Sequence, residues 1–342
     1  MKKINWGVLG LGEIAHNFSA AFSETTNANL LASASKKIEK SKVFADRFKI
    51  ENKYSFNNYE ELIDCKDVDI IYIALPNSLH HYWIKKCIKK NKNVLVEKPA
   101  TMNFEEINDI KQELTGKKLF FGETFMYRYH TQIDLVLDLI KNDEIGNLIS
   151  MESSFGVNLL TKKRFFFFNK KKRIDPNNRL FNKDLGGGCI LDLGCYPASF
   201  SLLIGSLVKD TEQNELQVAN VIKEMGETKV DIHSEAQLSF KDGFYSKIKA
   251  SFKKNLGNKS EIVGEKGKII INNTWLGSDN VIKIKDKNYQ SIKIDNIKNI
   301  YSYQIEKISK TLSNDIFRTQ YPGMCLSETL SNMKIIDEWL NA

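Results

Sequence analysis

The feature that most constrains the fold of this chain is a glycine-rich turn close to its N-terminus. The turn reads Gly10-Leu11-Gly12-Glu13-Ile14-Ala15 and joins a strand-like segment, Ile4 to Leu9, to a helix-like segment, Ile14 to Phe22. In a G-x-G-x-x-A turn, the glycines permit a tight bend and close approach to a pyrophosphate, and the small third residue lets helix and strand pack. The N–H groups at the start of the helix then face the phosphates. This context predicts a dinucleotide-binding α/β domain.

The first 124 residues alternate between short apolar runs and amphipathic stretches. We predict strands at 4–9, 30–35, 68–75, 94–96 and 119–122, and helices at 14–22, 40–48, 80–90 and 104–114. The run from Val68 to Leu75 is apolar on both faces, which is typical of a strand buried in a parallel sheet. Alternation of strands and helices predicts crossover connections, and therefore a doubly wound parallel sheet of the Rossmann type over residues 1–124.

After about residue 150, strand-like segments follow one another with few helices between them. We predict strands at 149–157, 216–224, 230–240, 245–252, 260–263, 268–271 and 281–284, and helices at 194–207, 300–312 and 326–340. This order predicts a second domain of the α+β class over residues 125–342, with a largely antiparallel sheet and helices on one side. Whether the C-terminal helix packs back on the first domain stays open.

Composition excludes several classes of protein. Of the 342 residues, 42% are hydrophobic and 27% charged, as is usual for a globular chain. No apolar run reaches the roughly 18 residues that a membrane span needs, and no leader-like stretch precedes the first strand, so we expect a cytoplasmic protein without a membrane partner. The net charge is +8 without any nucleic-acid-binding motif, so no nucleic-acid partner is expected. The five cysteines lack C-x-x-C spacing, which argues against disulfides and zinc.

The end of the second predicted strand indicates the type of dinucleotide. NAD enzymes usually place an acidic residue there to bind the ribose 2′-hydroxyl group. This chain has Ser35-Lys36-Lys37 instead. A hydroxyl and two ammonium groups attract a 2′-phosphate, which a carboxylate would repel. We therefore expect NADP as the cofactor, with NAD as the alternative.

Three further motifs carry a family resemblance. The first is Ala74-Leu75-Pro76-Asn77-Ser78-Leu79-His80-His81, the second is Glu97-Lys98-Pro99, and the third is the segment from Gly186 to Pro197, GGGCILDLGCYP. Together with the glycine turn, they resemble the Gfo/Idh/MocA family of oxidoreductases, which includes glucose-fructose oxidoreductase and inositol dehydrogenase. The tyrosine in the D-x-G-x-Y motif resembles the branch of dihydrodiol dehydrogenase and NADP-linked xylose dehydrogenase. The resemblance covers essentially the whole chain.

The resemblance implies a Rossmann domain followed by an open-faced sheet, with the chemistry where the two domains meet. The matching catalytic positions are Lys98, Asp192 and Tyr196. The matching positions that line the cofactor are the glycine turn Gly10, Leu11, Gly12, Glu13 and Ile14, the strand-end residues Ser35, Lys36 and Lys37, and the residues Leu75, Pro76, Asn77, His80, Glu97 and Lys98. The family's sheet often forms an oligomer interface, and we expect a homodimer or larger homo-oligomer that buries an uncovered apolar sheet face.

The residue types suit proton transfer at a carbinol carbon. A free tyrosine, with a pKa of about 10, is a poor base at neutral pH. A nearby ammonium group stabilises the phenolate and lowers that pKa. We therefore predict Tyr196 as general acid/base, Lys98 as its electrostatic partner, and Asp192 as a second hydrogen-bonding partner. The four-residue spacing from Asp192 to Tyr196 predicts that both lie on one face of a starting helix.

These inferences predict an NAD(P)-dependent oxidoreductase that acts on a small-molecule sugar, polyol or cyclic diol. One alternative is a nucleotide-sugar dehydrogenase or ketoreductase, and another is a cofactor-binding regulator without turnover. His80 and His81 are adjacent, so on a helix they point apart, and we expect no metal site.

One segment, Lys162 to Arg173, is unusual because seven of its twelve residues are basic and four consecutive residues are phenylalanine. It is interpreted either as a local insertion or as a flap near the mouth of the active site.

Overall fold

The structure is a computed structural model that describes residues 3–164, 168–208, 216–241, 243–295 and 298–342, without the side chains of residues 162–171. It divides the chain into two units. The first consists of Met1–His130 and Lys298–Thr329, and the second of Thr131–Ile297 and Leu330–Ala342. The first unit therefore includes the C-terminal segment Lys298–Thr329, and the predicted division at residue 124 stays a prediction.

The helices and strands of the described residues are as follows. The strands are β1 Ile4–Leu9, β2 Ala28–Ala34, β3 Ser55–Phe56, β4 Ile70–Ile73, β5 Asn93–Val96, β6 Phe121–Glu123, β7 Leu148–Gly156, β8 Thr161–Arg164, β9 Phe168–Lys171, β10 Gln217–Met225, β11 Asp231–Ser239, β12 Tyr245–Ser251, β13 Ser260–Gly264, β14 Gly267–Ile271, β15 Asn280–Lys285 and β16 Asn288–Lys293. The helices are α1 Glu13–Ala20, α2 Ile38–Phe48, α3 Tyr59–Asp64, α4 His80–Lys89, α5 Phe104–Leu114, α6 Thr131–Lys141, α7 Cys195–Gly205, α8 Ile300–Ser313 and α9 Leu326–Asn341.

The first unit contains a parallel sheet in the order β3-β2-β1-β4-β5-β6. The predicted Rossmann architecture is confirmed. Helix α8 joins this unit through polar contacts as well as apolar ones, because the Trp6 indole donates a buried hydrogen bond to the Ser309 hydroxyl at 3.0 Å. The Asn27 amide also donates to the Glu306 carbonyl at 2.9 Å.

The second unit contains a sheet in the order β10-β11-β12-β7-β13-β14-β15-β16, in which only the β12–β7 pair is parallel. The predicted, largely antiparallel sheet is confirmed. Helix α7 packs on β7 and β12. All eleven residues of this helix are buried.

The other face of this sheet differs from our expectation of an apolar surface. Strands β7, β12 and β13 present exposed or half-exposed charged side chains there, including Glu152, Lys247, Lys249 and Glu261. Lys249 forms an ion pair with Glu152 at 2.7 Å, and Lys268 pairs with Glu261 at 3.0 Å. A shallow groove of about 490 Å³ crosses this charged surface.

The basic, phenylalanine-rich segment lies partly outside the described residues, at 165–167. On either side of that gap, β8 and β9 pair as antiparallel strands, with Thr161 opposite Lys171. The expectation that this segment lies near the mouth of the active site stays a prediction.

One described segment, Lys183–Gly205, is long and apolar enough to pass a composition test for a membrane span. The apolar window that passes the test is entirely buried inside the protein. Such burial is equally expected of a core helix, so the test gives only weak support for a membrane span.

Candidate active site

The glycine turn is shaped as the fingerprint predicts. Gly10 has a φ angle of +93°, and a Cβ atom there would lie 2.6 Å from the Ala74 carbonyl oxygen. A side chain at this position would therefore collide with the end of β4. Ala15 is fully buried, as close packing of helix and strand requires. A Cβ atom on Gly12 would meet no atom within 4 Å, so the protein leaves open space at this point.

The start of α1 offers backbone donors to a ligand. Three other helices of this unit begin with an asparagine whose side chain accepts a first-turn N–H group, namely Asn58, Asn103 and Asn299. Helix α1 instead follows Gly12, which supplies no side-chain cap. Gly12 and Glu13 are exposed, Ile14 is half-buried and Leu11 is buried. The open space and the absence of a capping side chain fit a dinucleotide pyrophosphate at this helix start.

The end of β2 carries positive charge. The Ser35 hydroxyl is buried and accepts a hydrogen bond from the Lys37 N–H group at 3.2 Å. Lys36 and Lys37 are exposed. The Lys36 ammonium lies 5.6 Å from the Tyr59 ring centroid and 6.0 Å from that of Trp83, within the range of cation–π attraction. Sequence reasoning did not single out these two rings, which lie beside a lysine predicted to bind the 2′-phosphate.

The loop after β4 is anchored by His80. Leu75 and Pro76 are half-buried, and Asn77 is buried. His80 is fully buried, and its two ring nitrogens each lie 2.9 Å from a backbone oxygen, Nδ1 from Pro99 and Nε2 from Leu75. In this conformation its ring has no surface to offer a ligand. His80 therefore supports the loop after β4 from behind, and its predicted place beside the cofactor stays a prediction.

The end of β5 presents Glu97 and Lys98. Glu97 is buried and accepts hydrogen bonds from the Tyr72 hydroxyl and, at 3.3 Å, from the Lys98 N–H group. The Tyr72 ring stacks on Phe18 with a centroid separation of 3.8 Å. Lys98 itself is half-buried. The glutamate is thus held by its neighbours, whereas the lysine retains exposed surface.

A residue missed by sequence reasoning, Glu123, lies beside this strand end. It ends β6, pairs in register with Val96 and is buried. Its carboxylate accepts a hydrogen bond from the Ala100 N–H group at 2.9 Å. Burial raises the pKa of the Glu123 carboxyl to about 7, and nearby Arg128 partly opposes that increase, whereas Glu97 adds to it. No sequence motif marked it, because its burial depends on tertiary neighbours.

The first unit thus brings most predicted cofactor residues to one edge of its sheet. The glycine turn follows β1, residues 35–37 follow β2, residues 75–80 follow β4 and residues 97–98 follow β5. The carboxyl ends of the strands in an open parallel sheet are where ligands bind in such folds. Asp192 and Tyr196 belong to the second unit.

Asp192 lies in a π-helical turn, Ile190–Gly194, that precedes α7. A π-helix has a wider turn than an α-helix, so the argument that a four-residue spacing puts Asp192 and Tyr196 on one face does not apply. The Asp192 carboxylate is buried and lies 3.2 Å from the Arg179 guanidinium, whose side chain is half exposed. Arg179 is a charged neighbour that sequence reasoning missed.

Tyr196 begins α7 within an aromatic cluster. It is 5% exposed, and its ring centroid lies 5.2 Å from that of Phe155 and 5.7 Å from that of Trp275. The Trp275 indole donates a hydrogen bond to the Ser154 carbonyl at 2.8 Å. The cluster fixes the orientation of the tyrosine ring. Phe155 and Trp275 were not foreseen, because they lie far from Tyr196 in sequence.

Asp231 anchors the start of this helical segment. Its Oδ2 atom accepts a hydrogen bond from the Ile190 N–H group at 2.6 Å. Gly188 has a φ angle of +117°, and a Cβ atom there would lie 2.2 Å from Asp231 Oδ1. Burial raises the pKa of the Asp231 carboxyl above its ordinary value. The glycine run before the D-x-G-x-Y motif therefore makes room for this carboxylate.

Within the described part of the chain, no group of three or more His, Cys, Asp and Glu side chains is arranged to hold a metal ion.

Comparisons with known proteins identify the family of both units. Residues 4–125 match the GFO/IDH/MocA model described as an oxidoreductase family with an NAD-binding Rossmann fold. Residues 133–270 match the model of the GFO/IDH/MocA C-terminal domain. Together the two matches cover most of the chain.

Two curated relatives are similar over most of their length. Trans-1,2-dihydrobenzene-1,2-diol dehydrogenase of Xenopus tropicalis is 26% identical over 343 residues, covering 98% of this chain and 96% of the relative. The dTDP-3,4-didehydro-2,6-dideoxy-alpha-D-glucose 3-reductase of Saccharopolyspora spinosa is 28% identical over 278 residues, covering 80% and 76%.

Among solved structures, a 3-ketoreductase from Actinomadura kijaniata, crystallised with NADP and TDP-benzene, superimposes with a TM-score of 0.81. It is 22% identical, and the match covers 98% of this chain and 96% of that one. The likeness shows a shared fold.

Proposed function

The chain belongs to the GFO/IDH/MocA family of NAD(P)-dependent oxidoreductases, and we propose that it interconverts a carbinol and a carbonyl on a sugar, polyol or cyclic diol. The observation that carries this proposal is the combination of the shaped glycine turn with Glu97-Lys98-Pro99 and the Asp192 to Tyr196 motif. A domain that only bound the dinucleotide would need the first of these and neither of the others.

In this proposal the pyrophosphate binds at the glycine turn and the start of α1, and a 2′-phosphate binds Ser35, Lys36 and Lys37. Residues 75–77 and Glu97 line the nicotinamide side. The bound nicotinamide supplies the hydride acceptor or donor. NADP is favoured because both lysines are exposed and the strand end has no acidic side chain. The structurally similar Actinomadura ketoreductase was crystallised with NADP.

Tyr196 is the proposed general acid/base. Its phenol oxygen takes the hydroxyl proton when the substrate is oxidised and returns a proton when a carbonyl is reduced. Lys98 stabilises the phenolate and donates a hydrogen bond to the substrate oxygen. The aromatic cluster around Tyr196 excludes water from the ring and limits its rotation. Asp192 forms an ion pair with Arg179 beside the motif. We propose that Asp192 is also a second hydrogen-bonding partner in the reaction.

A nucleotide-sugar substrate is the second candidate, because a dTDP-sugar 3-reductase is among the relatives. The basic segment 162–173 would then meet the diphosphate. Neutralising Lys170, Lys171 and Lys172 should raise KM for such a substrate and weaken its dependence on salt. For a neutral sugar the same change should leave KM almost unchanged.

The direct experiment is a spectrophotometric screen of sugars, polyols, cyclic diols and dTDP-sugars with NADP and NAD. Turnover with a member of one of these classes supports the proposal. Tight binding of cofactor without turnover in the whole panel would favour the remaining alternative, a regulator without turnover.

A further inference from the structure

The peptide group that joins Pro99 to Ala100, just after Lys98, is held on both sides by buried ionisable side chains. The Pro99 carbonyl oxygen lies 2.9 Å from His80 Nδ1, and the Ala100 N–H group donates to Glu123 Oε1 at 2.9 Å. His80 is 0% exposed and Glu123 is 2% exposed. Neither side chain has surface for a ligand, so both can influence Lys98 only through the backbone next to it.

His80 connects this backbone to the cofactor-lining loop. Its second ring nitrogen, Nε2, lies 2.9 Å from the Leu75 carbonyl oxygen. Both partners of the ring are backbone carbonyls, which only accept hydrogen bonds, so each ring nitrogen must carry a proton when both bonds are formed. The His80 ring thus ties the end of β4 to the segment after β5.

Glu123 faces charged groups from each neighbouring element. Glu97 follows β5, Arg128 lies in the turn after β6, and Glu328 at the start of α9 pairs with Arg128 at 2.9 Å. Burial raises the pKa of the Glu123 carboxyl to about 7. Its protonation therefore changes near neutral pH, and an ionised carboxylate is a stronger acceptor for the Ala100 N–H group than a protonated one.

We propose that His80 and Glu123 are positioning residues that together fix the backbone from which Lys98 reaches the substrate. This inference rests on the proposed function, because it assigns the two residues to the placement of the catalytic lysine. His80 holds the carbonyl oxygen of the Pro99–Ala100 peptide group and Glu123 holds its N–H group. The same histidine sets the position of the loop that lines the cofactor.

The first test compares two replacements of Glu123. Glu123→Gln keeps an oxygen acceptor for Ala100, so kcat should stay within about 3-fold of wild type. Glu123→Leu removes the acceptor, and kcat should fall about 10- to 100-fold, the loss expected when a catalytic group shifts by about an ångström. The Kd for NADP should change little in either variant, since Glu123 does not touch the cofactor site. Equal kcat values in the two variants would overturn the proposal.

The second test uses pH, which a purely structural role would not affect. Ionised Glu123 accepts the Ala100 N–H group more strongly and so fixes the backbone beside Lys98 more firmly, and kcat should therefore rise with pH through about 7 in the wild type. Glu123→Gln should lack this step and keep the remaining pH dependence. Persistence of the step in Glu123→Gln would overturn the assignment.

The third test concerns His80 and has a matched control. His80→Phe removes both donors while keeping a ring of similar size, and should lower kcat. The control is His81→Gln, on the same first turn of α4, where the ring pairs with Asp109 at 2.6 Å. The control should keep wild-type kcat. Nitrogen NMR of the wild type should also show protons on both ring nitrogens of His80 at neutral pH. A ring nitrogen without a proton would overturn the positioning role of His80.

Lys98→Ala separates this inference from the proposed function. If Lys98→Ala is inactive but the Glu123 and His80 variants behave as wild type, only the positioning role is wrong. If Lys98→Ala keeps wild-type turnover, the proposed function fails, and the positioning role fails with it.

Discussion

At the scale of residues, the choice of cofactor depends on a few side chains at the end of β2. We expect Ser35→Asp to weaken NADP binding at least about 10-fold and to favour NAD, because a carboxylate repels the 2′-phosphate and binds the 2′-hydroxyl. Isothermal titration of both cofactors against both proteins measures this. A wild-type protein that binds NAD as tightly as NADP would contradict the argument.

Glu123 makes a prediction about stability. Its folded pKa of about 7 exceeds its ordinary value of 4.5, so the folded state binds more protons than the unfolded state between these values. This group therefore stabilises the fold most at acidic pH, and its contribution falls as pH rises through about 7. Glutamine does not ionise, so the free energy of unfolding of Glu123→Gln should lack this loss. The difference between variant and wild type should therefore shift in favour of the variant when the pH is raised from below 4.5 to above about 7. Urea unfolding at the two pH values measures the change, and parallel behaviour of both proteins would refute it.

At the scale of elements, the start of the helical segment that carries Asp192 and Tyr196 is fixed by the fit of Gly188 against Asp231. Gly188→Ala combines a left-handed φ with a clash against the Asp231 carboxylate. We expect a loss of stability beyond the 1–3 kcal/mol or so of backbone strain alone, together with reduced kcat. The matched control is Gly243→Ala, where φ is +90° and a Cβ atom meets nothing within 4 Å. Equal destabilisation of the two variants in thermal melts would contradict the prediction, because it would mean that the clash with Asp231 adds no cost to the backbone strain.

Sequence periodicity found the elements that have a strong pattern and missed those that do not. The bounds predicted for β1 and α5 agree with the structure, whereas β3, α3, α6, β8, β9 and β16 were missed. Strand β3 is two residues long, and β16 is mostly polar and exposed. The π-helical turn before α7 was also unforeseen, because a segment buried on every side has no amphipathic period to read.

The residues of the candidate site also fall into those that the sequence could reveal and those that it could not. Lys98, Asp192 and Tyr196 could be proposed because each lies in a short motif that resembles the family pattern. Glu123 and Trp275 could not, because their roles depend on neighbours that only the folded chain supplies.

At the scale of the whole molecule, oligomerisation through the second unit's sheet stays a prediction. The interaction expected to drive it is now electrostatic and no longer hydrophobic. The sheet face carries lysine–glutamate pairs rather than an apolar surface. Association through it should therefore be weakened by salt, since exposed ion pairs are screened. Light scattering at low and high ionic strength should show a dimer that dissociates more readily in salt. A monomer under both conditions would contradict this expectation.

The central claim is that Tyr196 moves the proton in a nicotinamide-dependent reaction supported by Lys98. Single-turnover measurement of nicotinamide reduction or oxidation in wild type and Tyr196→Phe tests it most directly, because this change removes one oxygen and leaves the aromatic cluster filled. We predict a rate about 10²- to 10⁴-fold lower, with the Kd for NADP unchanged. A near-wild-type rate in Tyr196→Phe would contradict the account.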